Sequence, residues 1–200
     1  MLTRTTRSGA RRPARELALI AIFAGIVAAL GLVPAIPVPV IPVPITAQTL
    51  GVMLAGAVLG ARRGCLALLL FVALVAIGLP LLAGGRGGLG VFVAPSVGFL
   101  VGFPFAALVT GWLSERLVRN GVYRLGAGIL AALAGGIVIE YAFGVAGFLL
   151  VTRSSPLPVL VFLPGDLVKA VLAALVARGV HAAYPGLLRE RRRTRVAIPG

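Results

Sequence analysis

In the stretch FLPGDLVKAVLAAL, residues 162–175, an Asp and a Lys stand three residues apart inside an otherwise apolar run. Asp166 is the only Asp in the chain and Lys169 the only Lys. A carboxylate accepts hydrogen bonds from N–H groups, and an ammonium donates to carbonyl oxygens. Together they can hold a small polar solute that carries both kinds of group. The spacing puts both side chains on one helix face. Pro164 and Gly165 mark the start of that helix, so Asp166 falls in its first turn, where the macrodipole favours an anion. At about 1.5 Å per residue, Lys169 then lies roughly one turn in from the helix end. The blander reading is an ion pair that merely neutralises itself. Against it, an apolar pair would avoid the desolvation penalty, and no other span offers an opposite charge at that depth.

One further acidic residue falls inside an apolar run. Glu140 sits in GGIVIEYAFGVAG beside Tyr141. An ionisable residue at mid-membrane costs about 2.5–3.5 kcal/mol on insertion scales, so each calls for a reason. Glu140 can carry a proton in an ion-coupled mechanism, face another subunit, or stand protonated and inert. Tyr141 can line a pocket with its hydroxyl or simply pack. The lone Cys65 excludes an internal disulfide and a Cys-cluster metal site. Nothing resembles a hydrolase triad, a metal cluster or paired catalytic carboxylates. No enzyme activity, catalytic residue, metal or cofactor is expected.

The elements that must position these residues are membrane helices. Of 200 residues, 60% are hydrophobic and 12% charged, with a mean hydropathy of +1.08. A soluble domain carries about 25% charged residues. Six apolar stretches can be marked: Leu17–Val33, Thr46–Gly60, Gly64–Leu82, Val97–Leu113, Leu125–Val151 and Leu157–Val180. A spanning helix needs about 20 residues. The second stretch is short, and the fifth is long enough to tilt or break near its glycines. With the N-terminus inside, sixteen arginines fall in inward segments and two, Arg86 and Arg153, in outward loops. That asymmetry orients the chain. The expected fold is all-α, a polytopic cell-membrane protein with six transmembrane helices and both termini cytoplasmic. Residues 1–16 form a basic tail, 17–180 the six-helix domain and 181–200 a second basic tail. The net charge of +14 belongs to these tails and loops. With three Tyr and one Trp, the chain lacks the basic–aromatic interleaving of nucleic-acid binding. The arginine-rich start is read as a cytoplasmic tail and not as a cleaved signal, because no cleavage motif precedes a polar domain.

The outward loops differ in kind. PAIPVPVIPVPIT, residues 34–46, has Pro at 34, 37, 39, 42 and 44, which forbids helix and favours extended backbone. A lid over the bundle and a stiff connector are both open readings. AGGRGGLG, residues 83–90, is too glycine-rich to be rigid and lacks the Lys–Ser/Thr of a phosphate loop. Its glycines suit close backbone approach to a ligand, or a gate. The first span repeats small residues at helical spacing (Ala21 with Gly25, Ala24 with Ala28, Gly25 with Ala29), a pattern for internal packing or for docking another subunit.

ITAQTLGVMLAGAVLG with the following RRG, then GLPLLAGGRGGLGVFVAPSVGFLVGFP, EYAFGV and FLPGDLVKA together resemble the BioY family. These are the biotin-binding S components of energy-coupling-factor (ECF) vitamin transporters. The resemblance runs from about Leu17 to Val180. It implies six helices and a biotin site near the outer face. It implies that Asp166 and Lys169 bind the ureido head, and that the loop carrying Gly85, Arg86, Gly87 and Gly88 lines or gates the pocket. Thr46 and Gln48 complete the site, and Tyr141 matches the aromatic position of the fifth helix. Arg86 is the candidate for the vitamin's carboxylate. The segment APSVGF, residues 94–99, departs from the family's usual GPTGGY, and Glu140 is not part of the pattern. Implied partners are a transmembrane coupling subunit and two ABC-type ATPases. ATP is used only by those partners, and the first span's small-residue face becomes the docking face. The alternative is a stand-alone ion-coupled solute transporter using Glu140.

Overall fold

The structure is a computed structural model that describes residues 11–39, 41–117, 123–184 and 187–188. The basic segments at residues 1–10 and 189–200, and Arg119, lie outside the described residues. The helices are α1 (Arg11–Gly31), α2 (Gln48–Leu59), α3 (Ala61–Ala76), α4 (Val97–Leu117), α5 (Leu125–Leu133), α6 (Glu140–Thr152) and α7 (Leu163–Ala183). A wide π turn, Ala134–Ile139, joins α5 and α6 into one helical rod.

Among the described residues, four helical segments are long and apolar enough to cross a membrane: Pro13–Gly31, Val97–Leu117, Leu125–Thr152 and Leu157–Ala183. The other two expected spans are shorter. With 12 and 16 residues, α2 and α3 reach about 18 and 24 Å. The third stretch ends early because Gly78 turns the chain at φ 110° and Pro80 follows. Gly60 makes the corner between α2 and α3, and the amide of Ala61 is capped by Glu115 Oε1 at 2.9 Å.

α2 is the central element. It packs on α1, α3, α4 and α7, and nine of its residues are buried, among them Val52, Met53 and Ala55 at 0% exposure. A helix apolar all round belongs inside. α7 instead has two faces. Asp166, Ala170, Ala173, Ala174, Ala177 and His181 point inward, while Leu167, Val168, Val171, Leu172, Leu175 and Val176 are exposed. The inward alanines let α2 and α5 approach closely. Together with Val101, Phe105, Leu108 and Trp112 on α4, the outward Leu and Val side chains form an apolar exterior suited to lipid.

The fifth stretch does not break at its glycines. A Cβ on Gly135 would strike Thr110 and the Ala106 carbonyl on α4, and one on Gly136 would strike Met53 on α2. The glycines permit close helix contact, and the helix continues through them as a π turn. The small residues of α1 divide between two faces: Ala24 is buried in the core, whereas Ala21, Gly25 and Ala29 are exposed, with open space around Gly25.

The Pro-rich loop adds a feature that an all-α expectation lacks. Strands β1 (Ile36–Val38) and β2 (Ile41–Ile45) pair antiparallel, with Ile36 opposite Ile45 and Val38 opposite Ile41. Successive N–H groups of a strand point to opposite edges, so Pro at alternate positions removes donors from one edge only. Pro37, Pro42 and Pro44 thus leave the paired edge its donors. Ile41 and Val43 turn inward onto Phe148, Val159 and Phe162, which fastens the hairpin to the bundle.

Candidate ligand-binding site

The Asp166–Lys169 pair lies at the hairpin end of the bundle. Asp166 is in the first turn of α7 and is 3% exposed. Lys169 Nζ lies 2.9 Å from Asp166 Oδ1, with the two side chains 15% and 5% exposed. The ammonium also donates to the Thr46 carbonyl at 2.7 Å and to Thr49 Oγ1 at 2.9 Å. Thr49 in turn donates to Asp166 Oδ1 at 3.1 Å, and the Tyr141 hydroxyl donates to Asp166 Oδ2 at 2.7 Å. Three elements thus converge on one carboxylate: α2, α6 and α7.

This network borders a cavity. Its walls come from Val43 to Thr46 of the hairpin, Gln48 and Thr49 of α2, Leu82 and Arg86 of the glycine-rich loop, Ser96, Phe99, Leu100 and Phe103 near the start of α4, Glu140, Phe162, Asp166 and Lys169. Most of the lining is apolar. Phe99 stands edge-on to both Tyr141 and Phe162, with ring centroids 6.2 and 5.9 Å apart. Such a cavity, apolar with a few convergent polar groups, is the usual form of a small-molecule site.

Of the residues singled out from sequence, Asp166, Lys169, Thr46, Gln48 and Arg86 line the cavity. Tyr141 is one step behind, bonded to Asp166. Thr46 contributes its backbone carbonyl. Gln48 is also a clamp: its amide donates to the carbonyls of Val27 and Leu81, and its oxygen accepts from Ala83 N–H. It therefore ties α1 and α2 to the loop that carries Arg86. Gly85 and Gly88 hold left-handed backbone, at φ 69° and 79°, and Gly87 lies tight against the Leu79 carbonyl. None of these three glycines is among the lining residues; they shape the loop that delivers Leu82 and Arg86. Arg86 is half-buried and donates from Nε to the Ala83 carbonyl at 3.3 Å.

Sequence reading missed Thr49, although it touches both members of the pair. The available signal was its place one residue after Gln48 on a helix that is otherwise nearly all apolar. The phenylalanines of the wall, Phe103 and Phe162, carried no signal beyond their hydrophobicity.

A helical membrane protein with an apolar cavity at one end, bordered by a buried ion pair, has the architecture of a small-solute-binding subunit. The chain belongs to the BioY family, whose profile matches residues 3–186. It is 53% identical over 178 residues to the biotin transporter BioY of Rhizobium etli, covering 86% of this chain and 95% of that one. Against the biotin transporter BioY of Rhodobacter capsulatus the identity is 54% over 190 residues, covering 88% and 98%. The fold superposes with a TM-score of 0.81 on the crystal structure of the S-component for biotin from an ECF-type ABC transporter. There the identity is 29%, covering 91% of this chain and 95% of that one.

Proposed function

We propose that this chain is a biotin-uptake subunit that captures the vitamin at the hairpin end of the bundle and passes it across the cell membrane. The observation that carries the reading is the Asp166–Lys169–Thr49–Tyr141 network set into an apolar cavity beneath the hairpin. Biotin joins a flat cyclic urea to an apolar sulfur ring and a carboxylate-ended chain. The polar network suits the urea, and the aromatic and aliphatic walls suit the ring and chain. Arg86, beside the cavity on the glycine-rich loop, is the cation for the carboxylate. Gly85, Gly87 and Gly88 give that loop the shape and freedom of a gate, and Gln48 anchors its base.

In this reading the chain crosses the membrane six times with both termini cytoplasmic. The short α2 and α3 make two of the crossings, and the arginine asymmetry sets the direction. The hairpin end then faces outward. Uptake is completed with an ECF coupling subunit and two ABC-type ATPases, and the exposed Ala21–Gly25–Ala29 stripe of α1 is the docking face for the coupling subunit. The chain catalyses no reaction. The test is equilibrium binding of labelled biotin to the purified chain, beside Asp166→Asn and Lys169→Met. Saturable binding by the wild type and its loss in both variants is expected. A folded wild type that does not bind biotin would overturn the reading.

A further inference from the structure

Among the described residues, Glu140 is the one buried acidic group that the network leaves out. It opens α6 immediately after the π turn, borders the cavity and is 1% exposed. Neither carboxyl oxygen has a hydrogen-bond partner among the described residues. It shares the cavity wall with Asp166 and Lys169. Buried polar groups are normally hydrogen-bonded, and an unpartnered carboxyl facing a cavity asks for a partner from outside the protein. The π turn has a direct bearing on this. One extra residue in a turn rotates all that follows, and such turns recur where a side chain must be re-aimed at a functional site. Here the residue immediately after the π turn is Glu140.

Donors and acceptors in the network point the same way. Lys169 has three N–H donors, and all three are taken, by Thr46, Thr49 and Asp166. Asp166 has about four acceptor positions, and Thr49, Lys169 and Tyr141 fill three of them. One acceptor position remains for a ligand N–H. A cyclic urea brings two N–H donors. The second needs another acceptor, and Glu140 is the buried polar side chain of the cavity wall whose oxygens have no hydrogen-bond partner among the described residues. A carboxyl oxygen can accept an N–H in either protonation state.

We propose that Glu140 is a direct ligand contact, accepting one of the two urea N–H groups while Asp166 accepts the other. The proposal rests on the biotin reading. It makes the site specific for ligands with two N–H donors flanking a carbonyl, such as biotin and its sulfur-free analogue. A ligand with one of those nitrogens blocked is selected against.

The test is equilibrium binding of biotin, and of biotin methylated at either ring nitrogen, to the full chain as wild type, Glu140→Leu and Glu140→Gln. Melting temperature without ligand is recorded for each. Glu140→Leu is expected to weaken biotin about ten- to a hundredfold, the worth of one hydrogen bond to a charged or buried partner. It should leave the unliganded melting temperature unchanged or higher, since an unpartnered polar group has been removed. Glu140→Gln keeps an acceptor oxygen and should lose less. Should the Leu variant not fold, the Gln variant carries the comparison. For one of the two methylated ligands the effect of Glu140→Leu should vanish. A folded Glu140→Leu that binds biotin within twofold of wild type overturns the proposal, as does an equal loss for biotin and both methylated ligands. In either case, loss of binding in Asp166→Asn would leave the biotin reading standing. A wild type that binds no biotin removes both.

Discussion

Lys169→Met separates the two things the ion pair does. The substitution keeps the length of the side chain and deletes its charge. Three hydrogen bonds go with it, of 2.7, 2.9 and 2.9 Å. The larger effect is on Asp166, which stays behind as a carboxylate with only 5% of its side chain exposed. Leaving one member of a buried pair uncompensated costs about 3–5 kcal/mol. An uncharged polar contact between membrane helices averages only about 0.6 kcal/mol. For a domain of about 150–250 residues, 1 kcal/mol shifts the melting temperature by roughly 2–4 °C. The charged account therefore predicts a fall of roughly 6–20 °C, and the uncharged one a degree or two. The double variant Asp166→Leu/Lys169→Met removes both charges. Replacing a buried pair by apolar groups is often neutral or stabilising, so the double variant should recover most of the lost stability. It should not recover biotin binding. The assay is circular-dichroism melting of the detergent-purified chain, with labelled-biotin binding in parallel. A double variant as unstable as the sum of its singles would refute the coupling, and one that still bound biotin would refute the role in the site.

Tyr141→Phe deletes the 2.7 Å bond to Asp166 and keeps the ring beside Phe99. A hydrogen bond to a charged group is worth about 1.5–3 kcal/mol, so the melting temperature of the unliganded chain should fall by roughly 3–12 °C while the fold persists. Arg86→Gln should weaken biotin but leave the neutral biotin amide unaffected, as equilibrium competition would read. Gly87→Ala drives a methyl into the Leu79 carbonyl and should displace Leu82 and Arg86, lowering affinity. Gly85→Ala meets open space and carries only the left-handed backbone penalty of about 1–2 kcal/mol, so the same binding assay should find it the milder of the two.

Asp166 and Lys169 were legible because charge inside an apolar run is expensive, so its presence is informative without any partner in view. Their position in the first turn of α7 follows from Pro164, which local chemistry also fixes. Thr49 carries no such mark. A threonine in a helix is ordinary, and its role comes from α2 crossing α7, which brings residues 117 and 120 positions apart into contact. The hairpin was half legible. Its prolines announce extended backbone, but the pairing of Ile36 with Ile45 and the seating of Ile41 and Val43 on Phe162 depend on surfaces elsewhere in the chain. The same limit applies to Gly135 and Gly136. Local chemistry reads them as a place to tilt or break, and only the nearness of Thr110 and Met53 shows why the helix needs them and continues. Glu140 combines both cases: its cost in an apolar run is visible from sequence, but its place beside the cavity comes from elements distant in the chain, the hairpin, α2, α4 and α7, that close around it.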